Sequence, residues 1–255
     1  MIRYETNQGR AVITIDDPER RNPMSVETME GLLDAAREAI ADDDVRVLVF
    51  TGAGDRAFSA GGDLAAGFVD DPIGLHAARG GLAQLFRTLR RGGKPTVARV
   101  NGHALAGGFG LAVSCDITIC VADAKLGVTE INVGLWPMMI TAVLEAGVTR
   151  KAAIELMMTG RIIDPVEAHS IGAVSRVVPR EELDVVVDEV VESLATKSPG
   201  TLLLGRDAFY GVADLGFDAA LERLQGGLTA VALTEDSKEG VMAFLEKRAP
   251  RWSGR

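Results

Sequence analysis

The sequence is poor in cysteine and histidine and has no long hydrophobic run, and each of these shortages argues against a class of protein. No apolar stretch approaches the roughly 20 residues that a membrane-spanning helix needs. Only two cysteines occur, Cys115 and Cys120, and their apolar surroundings favour structural thiols over a disulfide or a metal pair. The three histidines do not cluster with other potential ligands, so we expect no zinc site.

Basic residues are scarce relative to acidic ones. The chain has 27 lysines and arginines against 36 aspartates and glutamates, a formal net charge of -9 at pH 7. General binding of nucleic acid requires a basic face that neutralises phosphates, so this balance argues against it. A local basic patch for a phosphorylated cofactor is still compatible with the composition. Residues 1–5 lack a signal-peptide pattern, and we expect a cytoplasmic protein.

The order of the apolar patterns predicts the fold class. With 47% hydrophobic and 25% charged residues among 255, the composition is that of a globular protein. Strand-like apolar runs at residues 45–51, 96–100 and 117–122 alternate with amphipathic helical segments, as in a sheet covered on both faces. Toward the C-terminus the patterns become helical only. We therefore predict an α/β core over residues 1–195 and a helical region over residues 196–255, which packs on the core or on another subunit.

A glycine-rich segment after the strand at residues 96–100 is the centre of the predicted site. A turn signal at Asn101-Gly102 is followed by a cluster of small residues that includes Gly107 and Gly108, and we predict that this cluster opens a buried helix. The first N–H groups of a helix have no acceptor within it and carry partial positive charge, and glycine lets a ligand approach them closely. This segment therefore predicts an anion site built from main-chain donors.

Two further features extend this site. The loop Ala60-Gly61-Gly62-Asp63 can present backbone N–H groups in the same way, and Glu130 is a single carboxylate in an otherwise apolar segment. Burial raises the pKa of a carboxylate toward the range that suits proton transfer. Main-chain donors and one base would form a minimal site for enolate chemistry. A purely structural carboxylate is the alternative interpretation of Glu130.

A competing pattern precedes that loop. Gly52-x-Gly54-x-x-Ala57 follows a strand and is similar to a dinucleotide-binding fingerprint, which would indicate a nucleotide-dependent oxidoreductase. Such a fingerprint requires a helix that opens at the glycines, and here another loop of small residues follows instead. We therefore favour a turn at the exit of the strand.

Taken together, the segments resemble the crotonase (enoyl-CoA hydratase/isomerase) superfamily, in the family's order and spacing over nearly the whole chain. The segments that carry the resemblance are Phe58-Ser59-Ala60-Gly61-Gly62-Asp63-Leu64, Pro95 to Gly108 with Cys115-Asp116, Gly127-Val128-Thr129-Glu130, and Glu239 to Arg248. The resemblance implies a spiral of ββα repeats with a helical C-terminal region that mediates trimers, often paired into hexamers. It implies an acyl-CoA thioester as substrate, with coenzyme A entering as part of the substrate and no separate cofactor.

The resemblance also assigns roles to individual positions. The N–H groups of Gly62 and Gly107 would form an oxyanion hole for the thioester oxygen, and Glu130 would be the acid/base for proton transfer. Phe244 and Lys247 would reach the nucleotide portion of coenzyme A on a neighbouring subunit. The remaining positions that would bind substrate are Arg20, Asn22, Met24, Ala60, Asp63, Leu64, Gly108, Trp136, Pro137 and Met138.

Two departures from the family pattern affect the expected reaction. Hydratases of the family typically use two glutamates, and the position that matches the first is Gly110, which has no side chain. After Gly134-Leu135-Trp136-Pro137, the bulky residues 138–140 stand where small ones are usual. We expect an enoyl-CoA hydratase-type enzyme. A Δ3,Δ2-enoyl-CoA isomerase or a non-catalytic acyl-CoA-binding homologue is the alternative.

Overall fold

The computed structural model describes residues 1–62 and 72–255, and these residues form ten strands and ten α-helices. The strands are β1 (Ile2–Asn7), β2 (Arg10–Ile15), β3 (Val47–Gly52), β4 (Ala57–Ser59), β5 (Thr96–Val100), β6 (His103–Leu105), β7 (Ile117–Val121), β8 (Leu126–Gly127), β9 (Ile162–Ile163) and β10 (Arg176–Val178). The helices are α1 (Val26–Ala41), α2 (Pro72–Arg91), α3 (Gly107–Ser114), α4 (Met138–Gly147), α5 (Arg150–Thr159), α6 (Pro165–Ser170), α7 (Leu183–Ala195), α8 (Pro199–Gly211), α9 (Phe217–Leu233) and α10 (Glu235–Glu246).

The larger of two sheets has the strand order β1-β2-β3-β5-β7-β10. All of its neighbours pair in parallel except β1 and β2. Every residue of β3 is buried, as the apolar run at residues 45–51 predicts for a sheet covered on both faces. β1 joins β2 through Gln8 and Gly9, which have φ angles of 49° and 80°, as in a type I′ hairpin turn. The sequence patterns do not predict β1, because most of its side chains are exposed.

The smaller sheet has the order β4-β6-β8-β9 and places three short parallel strands side by side. β4 pairs in parallel with β6, and β6 pairs in parallel with β8, so their carboxyl ends lie at one edge of the sheet. The segments that leave this edge contain Gly62, Gly107 and Glu130. Strands of two or three residues are too short to show a hydrophobic period, which is why the sequence does not predict them.

Helices α8 to α10 form the C-terminal part of the chain, as the helical patterns there predict. α7 ends at Ala195 and α8 begins at Pro199. The division into an α/β core over residues 1–195 and an oligomerisation region over residues 196–255 stays a prediction. Within the described ranges, no helix combines the length and the hydropathy that crossing a membrane requires.

Asp116 attaches α8 to the core. Its carboxylate accepts hydrogen bonds from the Thr96 N–H (2.7 Å) and hydroxyl (2.8 Å) and from the Tyr210 hydroxyl (2.6 Å). It also accepts from Nε (3.1 Å) and Nη2 (3.0 Å) of Arg206. The side chains of Asp116 and Arg206 are only 19% and 11% exposed, so removing one partner would leave a largely buried charge without compensation.

We expect Asp116→Ala to lower the free energy of unfolding by about 3–5 kcal/mol, because the Arg206 guanidinium loses its partner in a largely desolvated site. The matched control is Asp207→Ala, which removes the exposed Arg223–Asp207 pair and should cost about 0–1 kcal/mol. Urea denaturation of both variants measures the difference. Equal effects would show that the buried cluster does not stabilise the chain beyond an ordinary surface pair.

Candidate active site

Two glycine-containing loops are packed against each other at the carboxyl edge of the smaller sheet. A Cβ placed on Gly61 would lie 2.6 Å from the Ala106 Cβ and 2.8 Å from the Leu105 carbonyl oxygen. Gly61 also has a φ angle of 87°, in the left-handed region that favours glycine. The loop after β4 therefore approaches the start of α3 at a distance that only glycine permits, and this contact brings Gly62 and Gly107 close together.

The segment before α1 is hydrogen-bonded to the loop after β4. The Met24 N–H donates to the Gly61 carbonyl at 2.8 Å, and Met24 and Gly62 form an isolated parallel bridge. The Gly61 carbonyl and the Gly62 N–H belong to one trans peptide and point in opposite directions, so the Gly62 N–H points away from Met24. The Met24 side chain lies close beneath Gly107, since a Cβ there would be 3.6 Å from its Cγ.

Asn22 braces the same segment from inside. Its amide nitrogen donates to the carbonyls of Ala53 (3.0 Å) and Ala57 (2.7 Å), and its side-chain oxygen accepts from the Asp17 N–H (3.0 Å). No part of Asn22 is exposed. The predicted substrate-binding role of Asn22 can therefore act only through the shape of this loop, which the sequence alone does not reveal.

The start of α3 carries backbone strain. Ala106, the residue before Gly107, has φ 49° and ψ -124°, a conformation that non-glycine residues rarely adopt. Its N–H donates to the Gly127 carbonyl at 2.8 Å, which ties the helix start to the strand that leads to Glu130. As the first helical residue, Gly107 has an N–H without an acceptor inside the helix. The Gly107 nitrogen lies beside the Gly61–Gly62 loop, 3.4 Å from the position of a Cβ on Gly61.

Glu130 follows β8 and begins a 3-10 turn that ends at Val133. Burial of the side chain raises the pKa of its carboxyl, and the Gly134 N–H donates to the backbone carbonyl of the same residue. Among the described residues, no group hydrogen-bonds its Oε2 atom, which is inaccessible to solvent. A half-buried carboxyl with a raised pKa and an unengaged oxygen is suited to accept and return a proton.

Gly110 offers no second acid–base group. It is buried on α3, and a Cβ placed on it would lie 2.8 Å from Cγ1 of Ile140 in α4. Ile140 is itself 3% exposed. The sequence shows that residue 110 has no side chain. It does not predict that Ile140 fills the space beside it, because Gly110 and Ile140 lie on different helices.

The other predicted substrate-binding residues occupy varied positions. Trp136 is half-buried, Pro137 is buried, and Met138 is 72% exposed at the start of α4. Arg20 is exposed beside Asp17, with 3.6 Å between Nη1 and Oδ2. Ala60, half-buried, donates its N–H to the Arg21 carbonyl at 2.9 Å, and Gly108 packs on Ser59. Asp63 and Leu64 lie outside the described residues.

Phe244 and Lys247 lie at the end of the chain's last helix. Phe244 is 82% exposed on α10, and Lys247, exposed as well, ends that helix with a φ angle of 54°. Helix α10 packs against α8 and α9. Their predicted partner is a neighbouring subunit, so their role stays a prediction.

The rival interpretation of the glycines after β3 loses its support. The segment after Gly52 and Gly54 forms β4 rather than a helix, so the condition for a dinucleotide fingerprint is not met. His103 uses Nδ1 to accept the Lys125 N–H at 3.0 Å, and burial lowers the pKa of its imidazole. This agrees with a structural role for His103.

Known proteins share this architecture. The family model described as enoyl-CoA hydratase/isomerase matches residues 5–255. A Thermus thermophilus protein provisionally named enoyl-CoA hydratase is 38% identical over 247 residues, which cover 95% of this chain and 96% of that protein. A crotonyl-CoA hydratase of Syntrophomonas wolfei is 34% identical over 250 residues, which cover 97% and 95%.

Solved structures agree with these relatives. Human enoyl-coenzyme A hydratase domain-containing protein 3 superposes with a TM-score of 0.94 at 28% identity, over 98% of this chain and 99% of that one. An enoyl-CoA hydratase from Mycobacterium smegmatis gives 0.93 at 28% identity, over 98% of each chain. These similarities confirm the predicted fold class, including the helical C-terminal region.

Adjacent glycines allow a matched test of the loop contact. We expect Gly61→Ala to lower the free energy of unfolding by about 1–3 kcal/mol, because alanine at this φ is strained and its Cβ would collide with Ala106. Gly62→Ala should change it by less than about 0.5 kcal/mol, since no described atom beyond the adjoining residues of the chain lies within 4 Å of the added carbon. Chemical denaturation of both variants measures this, and a reversed order would contradict the contact.

Burial of Glu130 should make the protein less stable as pH rises. Because its pKa is higher in the folded state, the folded state binds the proton more tightly, and wild-type stability falls from the ordinary glutamate range up through the raised pKa. We expect Glu130→Gln to be more stable than wild type at neutral pH, with the difference vanishing in acid. Urea titrations across pH test this, with the exposed Glu222→Gln as control. A Glu130→Gln variant that is less stable than wild type at every pH would refute the prediction.

Proposed function

Because the chain belongs to the enoyl-CoA hydratase/isomerase family, we propose that it binds an enoyl-CoA thioester and moves protons on the acyl chain through an enolate-like transition state. The observation that carries the proposal is the convergence of Gly62, Gly107 and Glu130 at one edge of the smaller sheet. Donors for a developing negative charge and one base are the minimum that such chemistry requires.

The two glycines supply the donors in this proposal. The N–H groups of Gly62 and Gly107 bind the thioester oxygen as negative charge gathers on it. Loss of one such donor costs about 3–4 kcal/mol of transition-state stabilisation in other enzymes. The loop contact through Gly61 and the strain at Ala106 support the assignment, because they fix both donors before substrate arrives.

Glu130 transfers the protons. With a 3-enoyl thioester, its carboxylate removes a proton from the α-carbon, the C–H electron pair forms the enolate, and the double bond shifts toward the thioester. The same carboxyl then returns a proton to the γ-carbon, so the product has the mass of the substrate. A raised pKa suits both steps, because the group must accept and release a proton near neutral pH.

A proton shift of this kind is the reaction that the geometry supports best. Ile140 fills the space beside Gly110, so Glu130 has no acidic partner at that position. Water addition to a 2-enoyl thioester is the second candidate, and the names of the Thermus thermophilus and Syntrophomonas wolfei relatives favour it. In that reaction Glu130 would handle both the water and the α-proton.

The proposal extends to the binding of coenzyme A between subunits. Met24, Ala60 and Trp136 border the site in this proposal, and Phe244 and Lys247 act on a neighbouring subunit of a homotrimer or hexamer. Large apolar side chains that are more than half exposed support such an assembly on the C-terminal helices; they are Phe209, Phe217, Leu221, Leu228, Leu233, Val241, Phe244 and Leu245.

Product analysis by mass spectrometry tests the proposal. Wild type, Glu130→Gln and the exposed control Glu145→Gln are incubated separately with a 2-enoyl-CoA and a 3-enoyl-CoA. We expect a shifted double bond at unchanged mass from the 3-enoyl substrate, lost in Glu130→Gln by about 10²-fold or more and kept in the control. A gain of one water from the 2-enoyl substrate would instead favour the hydratase candidate.

Two results would contradict the proposal. Equal turnover by wild type and Glu130→Gln would rule out Glu130 as the acid/base. Tight binding of coenzyme A thioesters without any product, across acyl chains of different length, would leave the non-catalytic acyl-CoA-binding homologue as the function.

A further inference from the structure

Position 110 is the place on α3 from which a side chain could act beside the donor at Gly107. The two residues are three apart, so they lie on the same face of the helix, one turn apart. Side chains on a helix lean toward its N-terminus and cover the preceding turn. A side chain at position 110 would therefore lean over the turn that contains Gly107, but glycine leaves this volume to a neighbour.

Ile140 occupies that volume. Its Cγ1, Cγ2 and Cδ1 atoms lie 2.8, 3.2 and 3.3 Å from the position of a Cβ on Gly110. The side chain is β-branched, which restricts its rotamers, and it is only 3% exposed, so it has little room to withdraw. The start of α4 is fixed by the Pro137 carbonyl, which accepts from the N–H (2.8 Å) and the hydroxyl (2.9 Å) of Thr141.

We propose that Ile140 is a specificity-determining residue. Its side chain keeps a second acid–base group, and the water that such a group would hold, out of the volume beside Gly110. Glu130 is thereby left as the single proton carrier, and the site is restricted to proton shifts. This inference rests on the proposed function.

Hydration shows what a second group would add. The water oxygen bonds to the β-carbon as the carbon–carbon π bond breaks, one water proton passes to the first carboxylate, and the α-carbon takes a proton from the second, protonated carboxyl. These two proton transfers take place at different carbons, so two carboxyl groups can carry them out more readily than one. Ile140 presents only hydrocarbon where the first of these groups would stand.

The experiment places a carboxylate at position 110, both with the Ile140 side chain present and with it truncated. The variants are Gly110→Glu, Ile140→Ala, the two combined, and Gly110→Glu combined with Leu144→Ala. Leu144 is a fully buried residue one turn further along α4, so its truncation makes a similar cavity but leaves Ile140 in place. Each protein is incubated with a 2-enoyl-CoA in heavy-oxygen water, and the incorporated label is measured by mass spectrometry.

We expect the Gly110→Glu/Ile140→Ala variant to add water about tenfold or more faster than wild type and than Gly110→Glu alone. The Leu144→Ala combination should show no gain, because Ile140 still blocks the new side chain. Wild type that adds water as fast as the Gly110→Glu/Ile140→Ala variant would overturn the inference. So would a combined variant that folds and still exchanges acyl protons but gains no hydration.

A second readout does not depend on activity. Gly110→Glu should lower the denaturation midpoint by less in the Ile140→Ala background than in wild type or in the Leu144→Ala background, and equal losses in all three would overturn the steric claim. Glu130-dependent exchange of acyl protons with deuterium, measured on wild type, tests the proposed function separately. If that exchange is absent, the proposed function fails, while the midpoints still decide whether Ile140 excludes a side chain.

Discussion

The close approach of Gly61 to the Leu105–Ala106 backbone is the constraint on which the site depends. Neither loop could position its donor alone, since an isolated loop offers its N–H groups to water in many orientations. A Cβ on Gly61 would lie 2.6 Å from the Ala106 Cβ and 2.8 Å from the Leu105 carbonyl oxygen, so there is no space for one, and the strained Ala106 holds the adjoining amide in place. Electrostatic stabilisation of a transition state is effective when its donors are oriented in advance, so in the proposed function the packing of Gly61 supports the roles of Gly62 and Gly107.

The short parallel strands of the smaller sheet explain why three distant segments meet. β4, β6 and β8 contribute few residues to the core, but their parallel order directs the following segments to the same edge. The larger sheet supplies most of the buried strand surface, and this burial stabilises a fold whose smaller sheet has a strained, glycine-rich edge. Glu130 destabilises the fold locally as well, because it is half-buried and one of its oxygens has no described partner. Proteins tolerate such destabilisation where a group must change its protonation.

Sequence patterns predict what depends on local composition. The β-branched runs of β3, β5 and β7 are confirmed as strands, the small residues at Gly107-Gly108 do open a helix, and the C-terminal region is helical. The patterns miss β1, which is largely exposed, and the short β4 and β6. They also cannot reveal that Asn22 is wholly buried as a brace, or that Ile140 fills the place beside Gly110. Both facts depend on contacts between segments about 30 residues apart or on different elements, for which no local period exists.

The glycine at position 110 also simplifies the titration of Glu130. Two carboxyl groups that share a site repel each other as anions, so their pKa values belong to the pair rather than to either residue. Here the space beside Gly110 holds hydrocarbon, and burial is the dominant cause of the raised pKa of Glu130. In the proposed proton shift between two carbons, a carboxyl without a partner at position 110 can alternate between base and acid with one proton. The Ile140 contact thus leaves Glu130, among the described residues, without a carboxyl partner from position 110.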